Sequence, residues 1–547
     1  MAGAVHIGSA GRAEDYQGQG LSAYVVLVCI VASLGGFLTG YDLGVTGGTE
    51  ANPNFLQKFF PSVYEEKQSS EISNPYCRFN DQMLQLFTSS IYLSAGLACL
   101  LSGHLTRTRG RKLGVFLGGL CFMLGSILNC VAENLATLIC GRLIMGLGIG
   151  FASQAIPIYL TEVAPARLRG GVTVMNALAM VLGILVAQLM NYALRDWPES
   201  WRLTLGLPAG PALVICLTIP FLPESPNSLI QRDRREQGRK VLEKIRGGGD
   251  VSAEYEDLCE AADNATKITY MQSWTLLGKR QYRPALVLGS AMPFFQAMTG
   301  YAAVIVFVPI FFTTLGDTHE EALQKALIIS GVKIAMTLLS MVLVDRLGRR
   351  VLLLEGSIQS AASLMATAGV VGWAFNTYGE DLPDSVGIAV LITICFYVGG
   401  YSTSWGSLAW LVAAEVVPLE TRAAGFSLGI AIYYVVTFVL SQTFLSMLCA
   451  LEWGIFVFYG GWIIAMSAFV VLLLPETRGV PIEEMYVVWA KHWFWKRVVG
   501  EAGQQMLQLE RQRTATRALS RQERGAGAEA APEAAGGHGA LGPNRPA

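Results

Sequence analysis

The chain predicts an all-α membrane protein in which twelve transmembrane helices form two six-helix repeats. Three observations carry that expectation. Of 547 residues, 52% are hydrophobic and 15% charged, against about a quarter charged in an ordinary soluble protein. Apolar runs approaching the roughly 20 residues that a bilayer core demands recur twelve times. Charged motifs of the first half return, in the same order, in the second. Within lipid the backbone must satisfy its own hydrogen bonds, so apolar runs of this length are helices.

Residues 1–20 are polar and lack the cationic stretch, short apolar run and small-residue cleavage site of a secretory leader, so span 1 is expected to be retained. The spans fall near 22–47, 84–104, 113–132, 135–157, 169–192 and 202–222 in the first half, and near 283–314, 322–344, 351–374, 385–412, 424–448 and 453–474 in the second. The third, LGVFLGGLCFMLGSILNCVA, meets the length requirement outright. This divides the chain into a cytoplasmic tail (1–20), an N-terminal bundle (21–222) with a lid loop near 48–83, a hydrophilic linker with short helices (223–282), a C-terminal bundle (283–474) and a cytoplasmic tail (475–547). The last of these ends rich in Ala, Gly, Glu, Arg and Pro, a composition that does not bury a core.

Charge sets the expected orientation. RTRGRK (107–112), RDRREQGRKVLEKIR (232–246) and DRLGRR (345–350) follow spans 2, 6 and 8, whereas the connections after spans 1, 7 and 9 are poor in Lys and Arg. By the positive-inside rule the even-numbered connections and both termini are cytoplasmic. The internal repeat is equally plain. TEVAPARLRGG (161–171) returns as AEVVPLETRAAG (414–425), so Glu162 maps to Glu415 and Arg169 to Arg422; PES (223–225) returns as PET (475–477), and GRK (110–112) as GRR (348–350). Two such bundles, related by an axis along the membrane normal, would enclose a substrate cavity that opens alternately to each side, the arrangement of a transporter. Glu162, Arg169, Arg349, Arg350, Glu415 and Arg422, at cytoplasmic helix ends, are expected to pair across the halves when the inner side is closed. The net charge of −1 says nothing about a nucleic-acid partner, and no basic patch interleaved with aromatics suggests one, so none is expected. The chain has no phosphate-binding loop of an ATP-driven pump. It also lacks the ligand spacing of a metal site and a nucleophile constellation, so neither an enzyme nor a cofactor is expected.

GYDLGVTGG (40–48), GRLIMGLGIGFASQAIPIYLTEVAP (141–165), PESP (223–226), PFFQAMTG (293–300), DRLGRR, PLETR (418–422) and LPETRGVPIEEM (474–485) resemble the sugar porters of the major facilitator superfamily, most closely the plant and algal proton-coupled monosaccharide transporters. The resemblance spans about residues 20–490. It implies the major facilitator fold and a plasma-membrane, monomeric symporter that moves protons and a hexose through the lipid bilayer. It also implies that Asp42 of span 1 carries the proton and Arg142 of span 4 is its partner. Such a pair can toggle, because burial and a neighbouring guanidinium act in opposite directions on a carboxylate. Cys77 and Cys449, placed on the outer side, are implied to form a disulfide that ties a lid over the site.

The same resemblance implies a sugar pocket that includes Gln296, Trp410, Thr39, Leu43, Lys333 and Tyr433, and here the chain departs from the family pattern. Ala297, Ala302 and Ala177 stand where carboxamides are usual, Lys333 and Tyr433 replace asparagines, and Thr39 replaces an aromatic residue. Lys333 lies in IISGVKIAMTLLSMVLV (328–344), although a cation at the centre of a membrane helix costs about 2.5 to 3.5 kcal/mol even by insertion measurements. Two alternatives stay open beside the hexose symporter: a proton-coupled carrier of a sugar acid or organic anion neutralised by Lys333, and a sensor that binds sugar without transporting it.

Overall fold

A computed structural model describes residues 23–68, 75–164, 169–247, 251–265, 269–379, 382–418, 421–478, 485–501 and 508. The N-terminal tail and most of the C-terminal tail lie outside the described residues. Within them, twelve helices are long and apolar enough to cross a membrane: Tyr24–Glu50, Gln82–Thr108, Arg111–Cys130, Leu135–Val163, Met175–Ala193, Ser200–Phe221, Arg280–Thr314, His319–Val344, Arg349–Tyr378, Asp384–Val416, Ala424–Leu451 and Gly454–Leu473, numbered here as spans 1 to 12.

Several helices overrun their apolar cores because capping groups outside the hydrophobic stretch set their ends. Asp81 accepts hydrogen bonds from the Met83 and Leu84 N–H groups, both at 2.8 Å, starting span 2 two residues before its apolar run. Thr318 and Glu321 form a reciprocal capping box that starts span 8 at His319. Lys333 is therefore fourteen residues into its helix, about 21 Å along the axis at 1.5 Å per residue. That is deeper than the apolar run alone suggests.

Two spans expected to be continuous are broken. Span 7 consists of Arg283–Met298 and Tyr301–Thr314, interrupted at Thr299 and Gly300. Gly300 has φ +75°, and a Cβ there would meet the Tyr459 ring at 2.5 Å, so glycine answers both the conformation and the space. Span 10 consists of Asp384–Thr403 and Trp405–Val416, with Ser404 at φ −122°, ψ −94° between them. The freed backbone is re-satisfied locally: the Ser404 hydroxyl donates to the Gly400 carbonyl at 2.6 Å, and the Thr299 hydroxyl to that of Gln296 at 2.7 Å. The two breaks face one another, with the Tyr397 hydroxyl donating to the Thr299 carbonyl at 2.8 Å and Tyr401 stacked on Tyr301.

Between spans 1 and 2 lie two short helices, Pro53–Phe59 and Pro61–Gln68, and the turn Pro75–Cys77. Cys77 is disulfide-bonded to Cys449 at the end of span 11, with a Cα–Cα separation of 4.5 Å. This end is closed by contacts between the first six spans and the last six. Arg195 pairs with Glu320 at 2.9 Å, and Gln442 and Ser446 bond to Gln82, Gln85 and Ser89. Spans 1 and 7 approach so closely that a Cβ on Gly47 would collide with the Val306 carbonyl. At the opposite end four helices, Pro226–Gln231, Arg235–Ile245, Ser252–Ala265 and Tyr270–Leu277, connect spans 6 and 7.

Candidate functional site

The first cluster is built by spans 1, 2 and 4. Asp42 is 2% exposed and Arg142 fully buried. The Arg142 guanidinium donates from Nη1 to Asp42 Oδ1 and from Nη2 to Thr46 Oγ1, the latter at 3.0 Å. Thr46 lies one turn beyond Asp42 and donates its hydroxyl to the Asp42 carbonyl at 2.8 Å. The guanidinium carbon lies 4.1 Å from the centroid of the Phe87 ring, a cation–π contact that covers one face of the charge. Two turns beyond Asp42, Glu50 is buried and accepts the Thr88 hydroxyl. The chemistry available is proton transfer: a buried carboxylate whose only cationic partner among the described residues is a guanidinium that does not itself give up a proton.

The second cluster surrounds the two helix breaks. Gln296, in the last turn before the break in span 7, donates from Nε2 to the Gly406 carbonyl at 3.2 Å and to the Tyr401 hydroxyl at 3.4 Å. Tyr301, immediately after that break, stacks on Tyr401 with centroids 3.9 Å apart and planes 4° from parallel. The Lys333 ammonium of span 8 stands 4.4 Å from the centroid of the Tyr301 ring. Beside them, Trp410 packs edge-on against Tyr433 at 5.4 Å, and Tyr433 against Tyr434 at 5.3 Å. Tyr434 reaches the other half through a 2.7 Å hydrogen bond with Ser153. Amides, hydroxyls and aromatic faces at broken helices suit a small polyhydroxylated solute, and discontinuous helices mark binding sites in transporters.

Of the remaining pocket candidates, Thr39 directs its hydroxyl to the Gly35 carbonyl of its own helix at 3.1 Å, and Leu43 belongs to the apolar core. The sequence reading nominated neither Tyr301 and Tyr401 nor Thr46, Phe87 and Glu50. The Gly300 and GGYSTSWGS (399–407) punctuation was the signal for the first two; nothing local marks the others.

Pairing across the halves is expected of a state closed at the inner side; here the opposite end is the closed one, and the charged motifs pair within each half. Glu162 bonds to Arg111 at 2.8 Å and Glu415 to Arg349 at 3.0 Å. Each pair lies within one half, not across the two. The reason is geometric: each Arg starts a helix beside the end of the helix that carries its Glu. The repeat extends to helix capping, since Glu224 accepts the Arg111 N–H at 3.0 Å while Glu476 accepts those of Arg349 and Arg350 at 3.1 Å. Arg350 otherwise donates to the Val471 carbonyl at 2.5 Å and Arg422 to that of Ala414 at 3.3 Å. The Arg169 side chain lies outside the described residues. Arg111 was legible in the sequence, because GRK and GRR place it opposite Arg349.

Residues 28–489 match the family pattern described as sugar (and other) transporter. The chain is 44% identical over 501 residues to H(+)/hexose cotransporter 2 of Parachlorella kessleri, covering 91% of this chain and 93% of that protein. It is 45% identical over 491 residues to sugar carrier protein A of Ricinus communis, covering 89% and 93%. Among solved structures, a proton:xylose symporter, XylE, bound to 6-bromo-6-deoxy-D-glucose superposes with a TM-score of 0.71 at 24% identity, covering 85% of this chain and 99% of that one. At that identity the likeness concerns the fold.

Proposed function

The chain belongs to the sugar transporter family, and from that membership we propose that it is a proton-coupled symporter that imports a monosaccharide of the hexose class by alternating access. It is a carrier, not an enzyme. The observation that carries the reading is the buried Asp42–Arg142 pair, in a chain whose relatives are named hexose cotransporters. A proton arriving at Asp42 neutralises the carboxylate and frees Arg142 from it, so spans 1 and 4 can separate. Sugar held at Gln296, Trp410 and Tyr433 biases the C-terminal half toward closure. Both events together permit the rocking of one bundle against the other. The disulfide-tied lid faces the outside, both termini are cytoplasmic, and the plasma membrane holds the protein as a monomer among its lipids. The Arg111–Glu162 and Arg349–Glu415 pairs stiffen the cytoplasmic ends of the two halves, so that each moves as a body.

With about 1.4 kcal/mol per pH unit and about 2.3 kcal/mol per 100 mV, a gradient of two units and 100 mV supplies about 5 kcal/mol per proton, enough for accumulation of several thousandfold. Reconstituted protein tests the reading. Asp42→Asn is expected to abolish accumulation driven by an acidic exterior while leaving exchange between labelled and unlabelled sugar. Concentrative uptake that survives the substitution and still collapses with the pH difference would take the proton-coupling role away from Asp42.

A further inference from the structure

At the helix breaks of the C-terminal half, a cation and two polar groups have no counterpart among the described residues. Lys333 is 6% exposed, and its ammonium forms no ion pair or hydrogen bond among the described residues; it stands over the face of Tyr301. The Tyr301 hydroxyl is buried without a hydrogen-bond partner among the described residues. Gln296 spends its Nε2 on Gly406 and Tyr401, and its Oε1 is likewise buried and unanswered among the described residues. A buried ammonium is costly without a counter-charge, and buried polar atoms without partners lose the hydrogen bonds that water would supply.

The missing complement has a definite chemistry: a carboxylate to accept from Lys333 and from the Tyr301 hydroxyl, joined to a hydroxyl that donates to Gln296 Oε1. A neutral hexose offers the hydroxyl and leaves the charge uncompensated. We infer that the preferred solute is an acidic monosaccharide, a hexuronate, bound with its carboxylate at Lys333 and Tyr301 and a ring hydroxyl at Gln296. This rests on the proton-coupled monosaccharide reading above and narrows its substrate class.

The charge carried changes accordingly. One proton moved with a neutral sugar transfers one positive charge, so 100 mV contributes about fifty-fold to the accumulation ratio. One proton moved with a monoanion transfers none, and uptake becomes electroneutral.

Full-length protein in proteoliposomes, given a fixed acidic exterior and a potassium-diffusion potential set to zero or to about −100 mV, separates the cases with labelled D-glucuronate and D-glucose. The expected result is glucuronate accumulation that is the same at both potentials. Lys333→Met should lower glucuronate uptake at least thirtyfold, and Lys333→Arg, which keeps the charge, should retain most of it. Should the Met variant fail to fold, the potential dependence of the wild type decides alone. Glucose accumulation that grows with potential, with glucuronate neither entering nor competing, overturns the inference and leaves the carrier reading standing. Glucuronate accumulation that grows fifty-fold with the potential overturns it as well. If no sugar follows the pH gradient, the carrier reading falls and the inference with it.

Discussion

At Arg142, one guanidinium holds three groups: the Asp42 carboxylate and the Thr46 hydroxyl by hydrogen bonds, and the Phe87 ring by a cation–π contact. Lysine offers a point charge without the planar fork, so Arg142→Lys is expected to keep the protein folded yet lower proton-driven uptake at least tenfold. Removing one member of a buried pair strands the other charge, at about 3 to 5 kcal/mol. Arg142→Ala should therefore lower the thermal stability of purified protein more than the double substitution Asp42→Asn/Arg142→Ala does, and melting of the single and double variants measures that coupling. The Asp42–Arg142 pairing followed from motif resemblance. Thr46 and Phe87 were not legible, because a threonine or phenylalanine in an apolar helix looks the same whether it faces a guanidinium or a neighbouring methyl group.

At the scale of the element, the break in span 7 depends on Gly300. Alanine there would adopt a left-handed conformation at about 1 to 2 kcal/mol and press on the Tyr459 ring, so Gly300→Ala should reduce both thermal stability and sugar uptake, with weaker binding of sugar as the test of the site's dependence on the break. The short helix Pro53–Phe59 is held differently, by Lys58 bonded at 2.7 Å to Glu133, which also takes Arg202 at 2.6 Å. The hydrogen bonds from Lys58 and Arg202 hold the Glu133 carboxyl below the usual carboxylate range. Its contribution is therefore present above that range and lost as pH falls through the lowered value. The effect is small because the group is exposed, and Glu133→Gln should flatten the acid limb of a pH–stability profile slightly. The breaks themselves escaped the sequence reading, since apolar content and length are the same for one continuous helix and for two half-helices.

For the whole molecule, the disulfide joins residues 372 apart in sequence and ties the segment between spans 1 and 2 to span 11 of the other half. Removing a native bridge typically costs about 2 to 5 kcal/mol, so Cys77→Ser, or reduction of the wild type, should lower the melting temperature without changing helix content by circular dichroism. The sequence by itself determined the twelve spans, the internal repeat and the family. Spanning a bilayer imposes a local length and polarity on every helix, and the repeated motifs are local words. Only the tertiary structure decided that Glu162 and Glu415 pair within their own halves, and that the broken spans 7 and 10 meet so that Gln296, Tyr301 and Tyr401 come together beside Lys333. Those contacts join helices far apart in the chain. Their geometry depends on how whole helices pack, and no spacing along the sequence records it.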